Sequence, residues 1–347
     1  MNSSNLQKQD PKMWKKIVRP YMEVDHKKSW MQMANTLIPL VGMWYLTYRS
    51  LEISYLLTLA LSFVTSFFFV RAFIIMHDCG HGTFFKTRKM RDFVGTILGV
   101  INFTPYHQWT KEHATHHNTS GNLDKRGHGD VWTMTVEEYN KATLFEKFQY
   151  RLYRNPLVTF VIGPIYIFQF RHRIFLKHDT AKERKSVVLT NILLVLSIWG
   201  LSSLVGFKNF LLVQVPILFI AQTVGCWLFY VQHQYENVYW GKGEKWSYVE
   251  AALKGCSFYK LPKILQWGTG NIGFHHIHHL SHLIPNYNLE KAYRENELFQ
   301  NAPVLTFWMS FRCASLKLYD EDKGDLISFR EYKKRFITAK KAALAVA

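Results

Sequence analysis

Residues 53–81 read ISYLLTLALSFVTSFFFVRAFIIMHDCGH, and this stretch decides the fold. The part before the first histidine carries a single charged residue, Arg71, and about 20 apolar residues suffice for a helix to cross a bilayer. The last five residues place His77 and His81 four positions apart, so that both point from one face of a helix. The stretch therefore predicts a membrane-spanning helix that ends in two convergent imidazoles.

Three further stretches have the character of membrane spans. Residues 210–231 contain no charged residue, and residues 187–206 are interrupted by Asn191. Residues 31–48 are shorter and carry Gln32, Asn35 and Pro39, but they still favour a span. We expect an all-α integral membrane protein with four spans in two hairpins, at residues 31–48, 53–76, 187–206 and 210–231.

The distribution of lysine and arginine orients these spans. Residues 1–30 carry seven of them, and others collect after the second span and in the tail at 331–347, whereas the loop within each hairpin is very short. Positive residues favour the cytoplasmic side. We therefore expect both termini to be cytoplasmic, with a helical cap formed by residues 77–186 and 232–330.

Two apolar stretches, residues 93–103 and 157–170, are too short to cross a bilayer comfortably. We expect each to lie at the membrane interface or in the core of the cap. Because no internal repeat or low-complexity tract divides the chain, residues 1–347 are expected to form one domain, with 331–347 as a basic tail.

The net charge limits the classes of partner. It is +18, which favours an anionic membrane surface or an acidic protein partner. Nucleic acid is disfavoured because the basic residues flank apolar runs. The four cysteines are scattered, with no CxxC pair, which argues against a disulfide framework and against a cysteine zinc site.

Histidines form three clusters at ligand spacing. They are HDCGH at 77–81, HATHH at 113–117 and HHIHH at 275–279. Their spacings, H-x3-H, H-x2-H-H and H-x2-H-H, supply eight imidazoles that can converge. Imidazole binds iron, copper, zinc and nickel well, and eight such ligands suit two ions better than one. The predicted topology places all three clusters on the same side of the membrane, which favours a single site. Isolated histidines, such as His178, are expected to be structural.

The surroundings indicate the chemistry. No HExxH motif is present, which disfavours a membrane metalloprotease. A metal pair beside an apolar bundle would meet acyl chains, and metal–oxygen chemistry can oxidise an unactivated methylene, which no side chain can do alone. Because no dinucleotide fingerprint is present, the electrons are expected from another protein. A hydroxylase, a ketolase and, in a different class, a metal-binding sensor or transporter remain alternatives.

The three clusters, in order, spacing and membrane placement, resemble the histidine boxes of the membrane fatty acid desaturases. The H-x3-H spacing of the first box is similar to the acyl-lipid branch of that family. The segments GNLDKRGHGDVWTMTVEEY (121–139), SFYKLPKILQW (257–267) and GNIGFHHIHHL (270–280) resemble bacterial Δ5 phospholipid desaturases. The resemblance covers about residues 30–330.

This resemblance implies an O2-dependent enzyme of the bacterial cell membrane that introduces a cis double bond, at position Δ5, into phospholipid acyl chains. It implies two iron ions, a ferredoxin or flavodoxin as electron donor, and a ninth histidine just after the last span, here His233. His276 and His282 are left out of the ligand set. The implied ligands are His77, His81, His113, His116, His117, His233, His275, His278 and His279.

In one branch of the family, an asparagine one turn before the ninth histidine holds a metal-bound water. Phe229 occupies that position here, and Gln232 or Asn271 are candidates to replace it. Ligating imidazoles usually hydrogen-bond to a further acceptor. The candidates for this orienting role are Asp78, Asp124, Asp130 and Asn271.

Two further sets of residues are candidates for binding. Trp109, Trp132 and Trp267 are expected to line an acyl slot or to sit at the membrane interface. Lys125 and Arg126 are expected to bind a lipid phosphate or an acidic electron donor, or to serve only the positive-inside topology.

Overall fold

Helices form most of the structure, a computed structural model that describes residues 13–127 and 129–338. One segment, α8, has mixed pitch, because two π-helical turns flank a short α-helical turn at residues 158–170. A π-helical turn at Lys333–Thr338 ends the described chain, so residues 339–347 of the predicted tail lie outside it. Within the described residues, four short 3-10 helices lie at Arg19–Tyr21, Ser50–Glu52, Arg171–Arg173 and Gly243–Lys245. The α-helices besides α8 are α1 (Met13–Val18), α2 (His26–Arg49), α3 (Tyr55–His81), α4 (Arg88–Ile101), α5 (Tyr106–Thr119), α6 (Val136–Lys141), α7 (Leu144–Tyr153), α9 (Ala181–Val205), α10 (Phe207–His233), α11 (Tyr248–Leu253), α12 (Lys263–Gly268), α13 (His275–Leu280), α14 (Asn286–Glu295), α15 (Glu297–Gln300), α16 (Phe307–Cys313) and α17 (Phe329–Tyr332).

Short strands also occur, and the expectation of an all-α protein is wrong in this respect. Strand β4 pairs in parallel with β1 and antiparallel with β5, and β2 pairs in parallel with β3. The strands have two to five residues, and Met134 in β1 pairs with Leu318 in β4. Pairing over such a sequence distance leaves no local pattern that would predict it. The strands are β1 (Met134–Thr135), β2 (Phe258–Lys260), β3 (Val304–Thr306), β4 (Leu316–Asp320) and β5 (Asp325–Ser328).

Three helices of the described chain, α3, α9 and α10, are long and apolar enough to cross a membrane. Apart from Ile53, Ser54 and Gly206, they contain the expected spans at 53–76, 187–206 and 210–231, and each helix also extends beyond its expected span. Thus α3 runs on through HDCGH until Gly82, whose φ of 82° ends the helix in a left-handed C-cap. The first histidine cluster is therefore the last turn of a candidate span.

The fourth expected span, residues 31–48, lies inside α2, which is not apolar enough to qualify by composition. Its polar residues face inward, since Ser29, Gln32 and Thr36 are buried. Its outer face is apolar, with Ile38 72% exposed and Val41 66% exposed.

Helix α3 is the central element of the fold. It packs against α2, α4, α5 and α10. Phe69, Ile75 and Met76 of α3 belong to one buried cluster with Ile217 and Val231 of α10. The expected interfacial stretches at 93–103 and 157–170 fall largely in α4 and α8, which lie beside this central group.

Candidate metal centre

Nine histidines converge where four helices meet. The last turn of α3, the last turns of α5, the final residue of α10 and the short helix α13 each contribute. Two of these helices end at their ligands, so the cluster lies at the end of the apolar bundle. The sequence places these residues up to about 200 positions apart, and the packing of α3, α5, α10 and α13 brings them together.

Five histidines form the first group, which we call the five-histidine group. One ring nitrogen of each lies within 4.8 Å of those of the other four. Nε2 of His278 is 3.0 Å from Nε2 of His77 and 3.0 Å from Nε2 of His117. Nε2 of His117 is also 3.1 Å from Nε2 of His113. The members are His77, His81, His113, His117 and His278.

The remaining four form the second group, which we call the four-histidine group. His116, His233 and His279 lie within the same 4.8 Å limit. His275 joins them, because its Nε2 is 3.0 Å from Nε2 of His233, which in turn is 3.2 Å from Nε2 of His116. Every histidine of the predicted ligand set therefore belongs to one of two adjacent groups.

Two glycines permit the close approach of these helices. A Cβ at Gly80, between the histidines of the first cluster, would lie 2.8 Å from Oγ1 of Thr110 in α5. A Cβ at Gly270 would lie 2.8 Å from Cγ2 of Ile74 in α3, and Gly270 has a φ of 56°. The first glycine lets α5 reach α3, and the second lets the loop before α13 reach the same helix.

The donor set fits metal ions. Two imidazole nitrogens bound about 2.1 Å from one ion and at right angles are about 3 Å apart, which is the spacing found here. Nε2 of His81 and Nε2 of His279 are buried without a hydrogen-bond partner among the residues described, as expected of atoms that serve a metal. Nitrogen-rich sites of this kind suit iron, copper, zinc or nickel.

The electrostatics favour neutral imidazoles. Burial, assisted by the neighbouring histidines, holds the pKa of His113, His117, His275, His278 and His279 well below the ordinary value. A neutral imidazole offers the lone pair that a metal needs, whereas a protonated one does not. The site is thus prepared for cation binding at neutral pH.

Two of the four candidate orienting residues contact a histidine through its other ring nitrogen. Oδ1 of Asp78 is 2.9 Å from Nδ1 of His77, and Oδ1 of Asp130 is 2.6 Å from Nδ1 of His116. The backbone and side-chain N–H groups of Asn286 donate to Oδ2 of Asp78, at 2.7 and 2.8 Å. Each group of histidines thus includes one imidazole oriented by a carboxylate, leaving its Nε2 directed at the cluster.

The other candidates have partners away from the histidines. Asp124 accepts a hydrogen bond from the backbone of Gly243, and Gln232 donates to the carbonyl of Ile272. Asn271 donates to the carbonyl of Asn286. Phe229 packs beside the four-histidine group, its ring centre 5.0 Å from that of His116. In the structure Asp124 therefore stabilises a loop, and Gln232 and Asn271 support the backbone near α13. That Gln232 or Asn271 holds a metal-bound water stays a prediction.

Two neighbours of the site were not assigned a role from the sequence. Sγ of Cys256 is 3.6 Å from Nδ1 of His233, and Cys256 is fully buried. The ring of His282 lies 4.9 Å from that of His81. The proximity of His282 to the third cluster was the only available signal, and no motif pointed to Cys256.

The three candidate tryptophans differ in their distance from the histidines. Trp109 stacks on His113 at 4.5 Å between ring centres, and Phe73 of α3 packs against Trp109 at 5.2 Å. Trp132 packs on Tyr150 instead, and Trp267 lies under the guanidinium of Arg71. Only Trp109 of these three contacts the histidines in the described structure.

Lys125 and Arg126 differ in the contacts of their side chains. Lys125 is exposed. Arg126 pairs with both carboxylate oxygens of Glu138 and donates to the carbonyl of Leu123. The guanidinium of Arg126 therefore stabilises its own loop, and the binding of a lipid phosphate or an acidic electron donor by Lys125 and Arg126 stays a prediction.

The fold and the site together define a helical protein with three apolar helices long enough to span a membrane and a histidine-rich candidate metal centre at their end. The family model for fatty acid desaturases matches residues 53–311, a stretch that includes all nine histidines. The chain belongs to the fatty acid desaturase family, which confirms the resemblance drawn from the three clusters.

Individual relatives agree with this assignment. The chain is 48% identical over 318 residues to a fatty acid desaturase of Bacillus subtilis, covering 92% of this chain and 90% of that protein. It is 29% identical over 242 residues to an sn-1 acyl-lipid omega-3 desaturase (ferredoxin) of Synechocystis sp., covering 63% of this chain and 62% of that one. An sn-1 oleoyl-lipid 12-desaturase of Synechocystis sp. is 26% identical over 299 residues, with 80% and 78% covered.

Proposed function

We propose that this protein is an O2-dependent desaturase that introduces a cis double bond, at position Δ5, into the acyl chains of membrane phospholipids. The observation that carries the proposal is the convergence of nine histidines, at metal-ligand spacing, on the end of an apolar helical bundle. A lipid chain in that bundle and a metal at its end would meet without crossing water.

The proposed centre holds two iron ions. His77, His81, His113, His117 and His278 would hold one ion, and His116, His233, His275 and His279 the other. When bound, the irons supply the O2 activation and hydrogen abstraction that amino-acid side chains cannot perform. The protein's own residues keep the imidazoles neutral, orient two of them through Asp78 and Asp130, and exclude bulk water by burial.

The proposed acyl path passes Trp109. Its indole ring stacks on His113 and lies 5.7 Å from the ring of His77. Phe73 packs against Trp109 on one side and Phe168 of α8 on the other, and the ring centres of Phe73 and Phe168 are 6.4 Å apart. These aromatic side chains form an apolar surface from the bundle to the five-histidine group, which suits methylene groups better than any polar substrate.

The proposed electron donor is a small acidic protein of the ferredoxin or flavodoxin type. The relative from Synechocystis named with ferredoxin supports the first of these. Electrostatic docking onto a chain of net charge +18 would weaken with salt. The dependence of turnover on ionic strength, measured with purified donor, tests this point, because a rate unaffected by salt would contradict electrostatic docking.

The proposed topology has four spans in a bacterial cell membrane, with both termini, the cap and the anionic inner surface on the cytoplasmic side. The inward polar and outward apolar faces of α2 support its role as the fourth span, because lipid is the medium that such an outer face suits. We further propose that the spans and the cap are one domain, since α3 takes part in both.

A lipid hydroxylase or ketolase would use the same nine ligands, and only the product distinguishes it. A metal sensor or transporter is less well supported, because His81 and His233 are the last residues of their helices, not mid-span positions. The decisive experiment is expression in a host without unsaturated fatty acids, followed by mass spectrometry of its lipids. A cis alkene at Δ5 supports the proposal, another bond position overturns the Δ5 assignment, and a hydroxylated or unchanged lipid overturns the desaturase.

A further inference from the structure

A small cavity lies beside the four-histidine group. Its volume is about 10 Å³, close to the room that one water molecule needs. Asp130, Phe229, His233, Tyr239 and Trp240 are among the residues that line it. The cavity therefore separates the candidate metal centre from the loop that contains Trp240.

Two of the lining residues each carry a polar atom that has no hydrogen-bond partner within the described chain. These atoms are Oδ2 of Asp130 and Nε1 of Trp240, and both atoms are buried. The Asp130 side chain is 8% exposed, and its other oxygen already faces Nδ1 of His116 at 2.6 Å. Leaving a buried carboxylate oxygen and a buried indole N–H unsatisfied is costly, so a ligand that serves both would stabilise the site.

The chemistry of the two atoms selects the ligand. The carboxylate oxygen accepts hydrogen bonds and repels an anion, whereas the indole N–H only donates and disfavours a cation. A neutral molecule that both donates and accepts satisfies the pair, and the volume admits nothing larger than water. We infer that the cavity binds one structural water, which donates to Oδ2 of Asp130 and accepts from Nε1 of Trp240.

This water would act as a positioning group for the candidate metal centre. It fixes one oxygen of Asp130, so that the other stays directed at His116, whose Nε2 faces the four-histidine group. It also links the metal centre to Trp240, which lies seven residues beyond His233 in the cap. The role in metal binding rests on the proposed function, whereas the water site itself does not.

The first test is an experimental structure of the full-length protein in lipid, at a resolution that reveals ordered water. We expect density at hydrogen-bond distance from both Oδ2 of Asp130 and Nε1 of Trp240, and its loss in Trp240→Phe. A dry cavity, or a water that touches only one of the two atoms, would overturn the inference. This test does not require bound iron. If the purified protein bound no iron, that finding would refute the proposed diiron centre but would leave the inferred water site open to the same test.

The second test measures the rate at which iron is lost to a chelator. We expect Asp130→Asn to accelerate the loss by about 10–100-fold and Trp240→Phe by about 3–10-fold, since partners of ligands typically matter on this scale. If the water couples them, the double variant is no faster than Asp130→Asn. Rates that multiply in the double variant would contradict the bridge.

Trp246→Phe is the matched control. Its indole N–H lies in the same loop region but already donates to the carbonyl of Ser120 at 3.1 Å. Its effect on iron loss, whatever the size, should therefore multiply with that of Asp130→Asn. Coupling of Trp246 to Asp130 as strong as that of Trp240 would show a general loosening of the loop and would also overturn the inference.

Discussion

The candidate metal centre depends on individual imidazoles whose two nitrogens have different tasks. In His77 and His116, Nε2 faces the cluster and Nδ1 faces a carboxylate. In His233, a thiol, that of Cys256, is the neighbour of Nδ1. The spacing within each cluster was evident from the sequence, but the orienting partners were not. Asp130 and Asp124 were both candidates for the orienting role. Asp130, 14 residues from His116, contacts it, whereas Asp124 accepts a hydrogen bond from Gly243.

Removal of one central ligand should abolish metal binding at the five-histidine group. We expect His113→Ala to lose activity and to lower bound iron while the protein still inserts into the membrane. Iron analysis of the purified protein, with lipid analysis of the expressing cells, provides the measurement. His178→Ala is the control and should retain both properties, because the His178 side chain is exposed and the bond that His178 accepts from Lys111 is made by its backbone carbonyl. Full desaturation by His113→Ala would refute the assignment.

Asp78 should matter to metal affinity and Asp124 should not. The Asp78 carboxylate faces three N–H donors, one of His77 and two of Asn286. In Asp78→Asn an NH2 group replaces one carboxylate oxygen, so it meets at least one of these donors and the contact becomes repulsive. We expect metal affinity to fall by about 10–100-fold. Competition with a chelator measures this, and Asp124→Asn should stay within experimental error of the parent. Equal losses in both variants would argue against an orienting role for Asp78.

Acid should destabilise the metal-free protein. Burial lowers the pKa of His113, His117, His275, His278 and His279, so the folded state resists protons that the unfolded state accepts. His276 follows the same rule, with a pKa of about 3. The unfolded state therefore gains protons below about pH 6.5, and the free energy of unfolding falls as pH decreases from there. Thermal unfolding of metal-free protein from pH 8 to pH 5 should show a declining midpoint only in the lower part of this range. A midpoint that rises towards acid would contradict it.

At the scale of elements, the contact between α3 and α5 determines whether the first two clusters meet. Gly80 allows this contact, because any side chain there would press on Thr110. The HDCGH sequence suggested a ligand pair, and the glycine within it was not assigned a role. The short strands β1 and β4, in contrast, were not predicted at all. They pair with each other over a long sequence distance, and no local pattern indicated them.

Gly80→Ala should separate these helices. The added methyl would lie 2.8 Å from Oγ1 of Thr110, so α5 must shift or Thr110 must rotate. We expect a destabilisation of about 1–3 kcal/mol, typical of overpacking, together with reduced iron content. Gly225→Ala in α10 is the matched control, because a Cβ there meets nothing within 4 Å. Thermal unfolding and iron analysis of both variants decide the matter, and equal behaviour of the pair would refute the packing argument.

At the scale of the whole molecule, the number of crossing helices sets the path of the chain through the membrane. The composition of α3, α9 and α10 qualifies them as spans, and α2 is proposed as the fourth because of its outward apolar face. With four spans, the short loop after α2 and the one between α9 and α10 lie outside the cell, and the α3–α4 connection lies inside.

Single cysteines should report this topology. We expect Glu52→Cys and Lys208→Cys to react with an impermeant maleimide in intact cells, and Lys86→Cys to react only after lysis. The parent protein controls for its four native cysteines. If α2 did not cross the membrane, Glu52→Cys and Lys86→Cys would still lie on opposite sides of it, because α3 separates them. Residues 1–30 would then lie outside the cell, so a tag at the N-terminus completes the measurement. A tag accessible in intact cells would refute the four-span topology.

The sequence by itself determined the class of the protein and eight of its nine candidate ligands. Apolar length and ligand spacing are local properties, set by residues within a turn or a span of one another. The ninth ligand required a resemblance, because His233 stands alone in its segment. Only the tertiary structure decided how the candidate ligands divide into groups of five and four, that Asp78 and Asp130 contact two of them, and that Trp109 alone of the three candidate tryptophans contacts them among the described residues. Those relations depend on how α3, α5, α10 and α13 pack, and close packing between distant segments leaves no periodic trace in the chain.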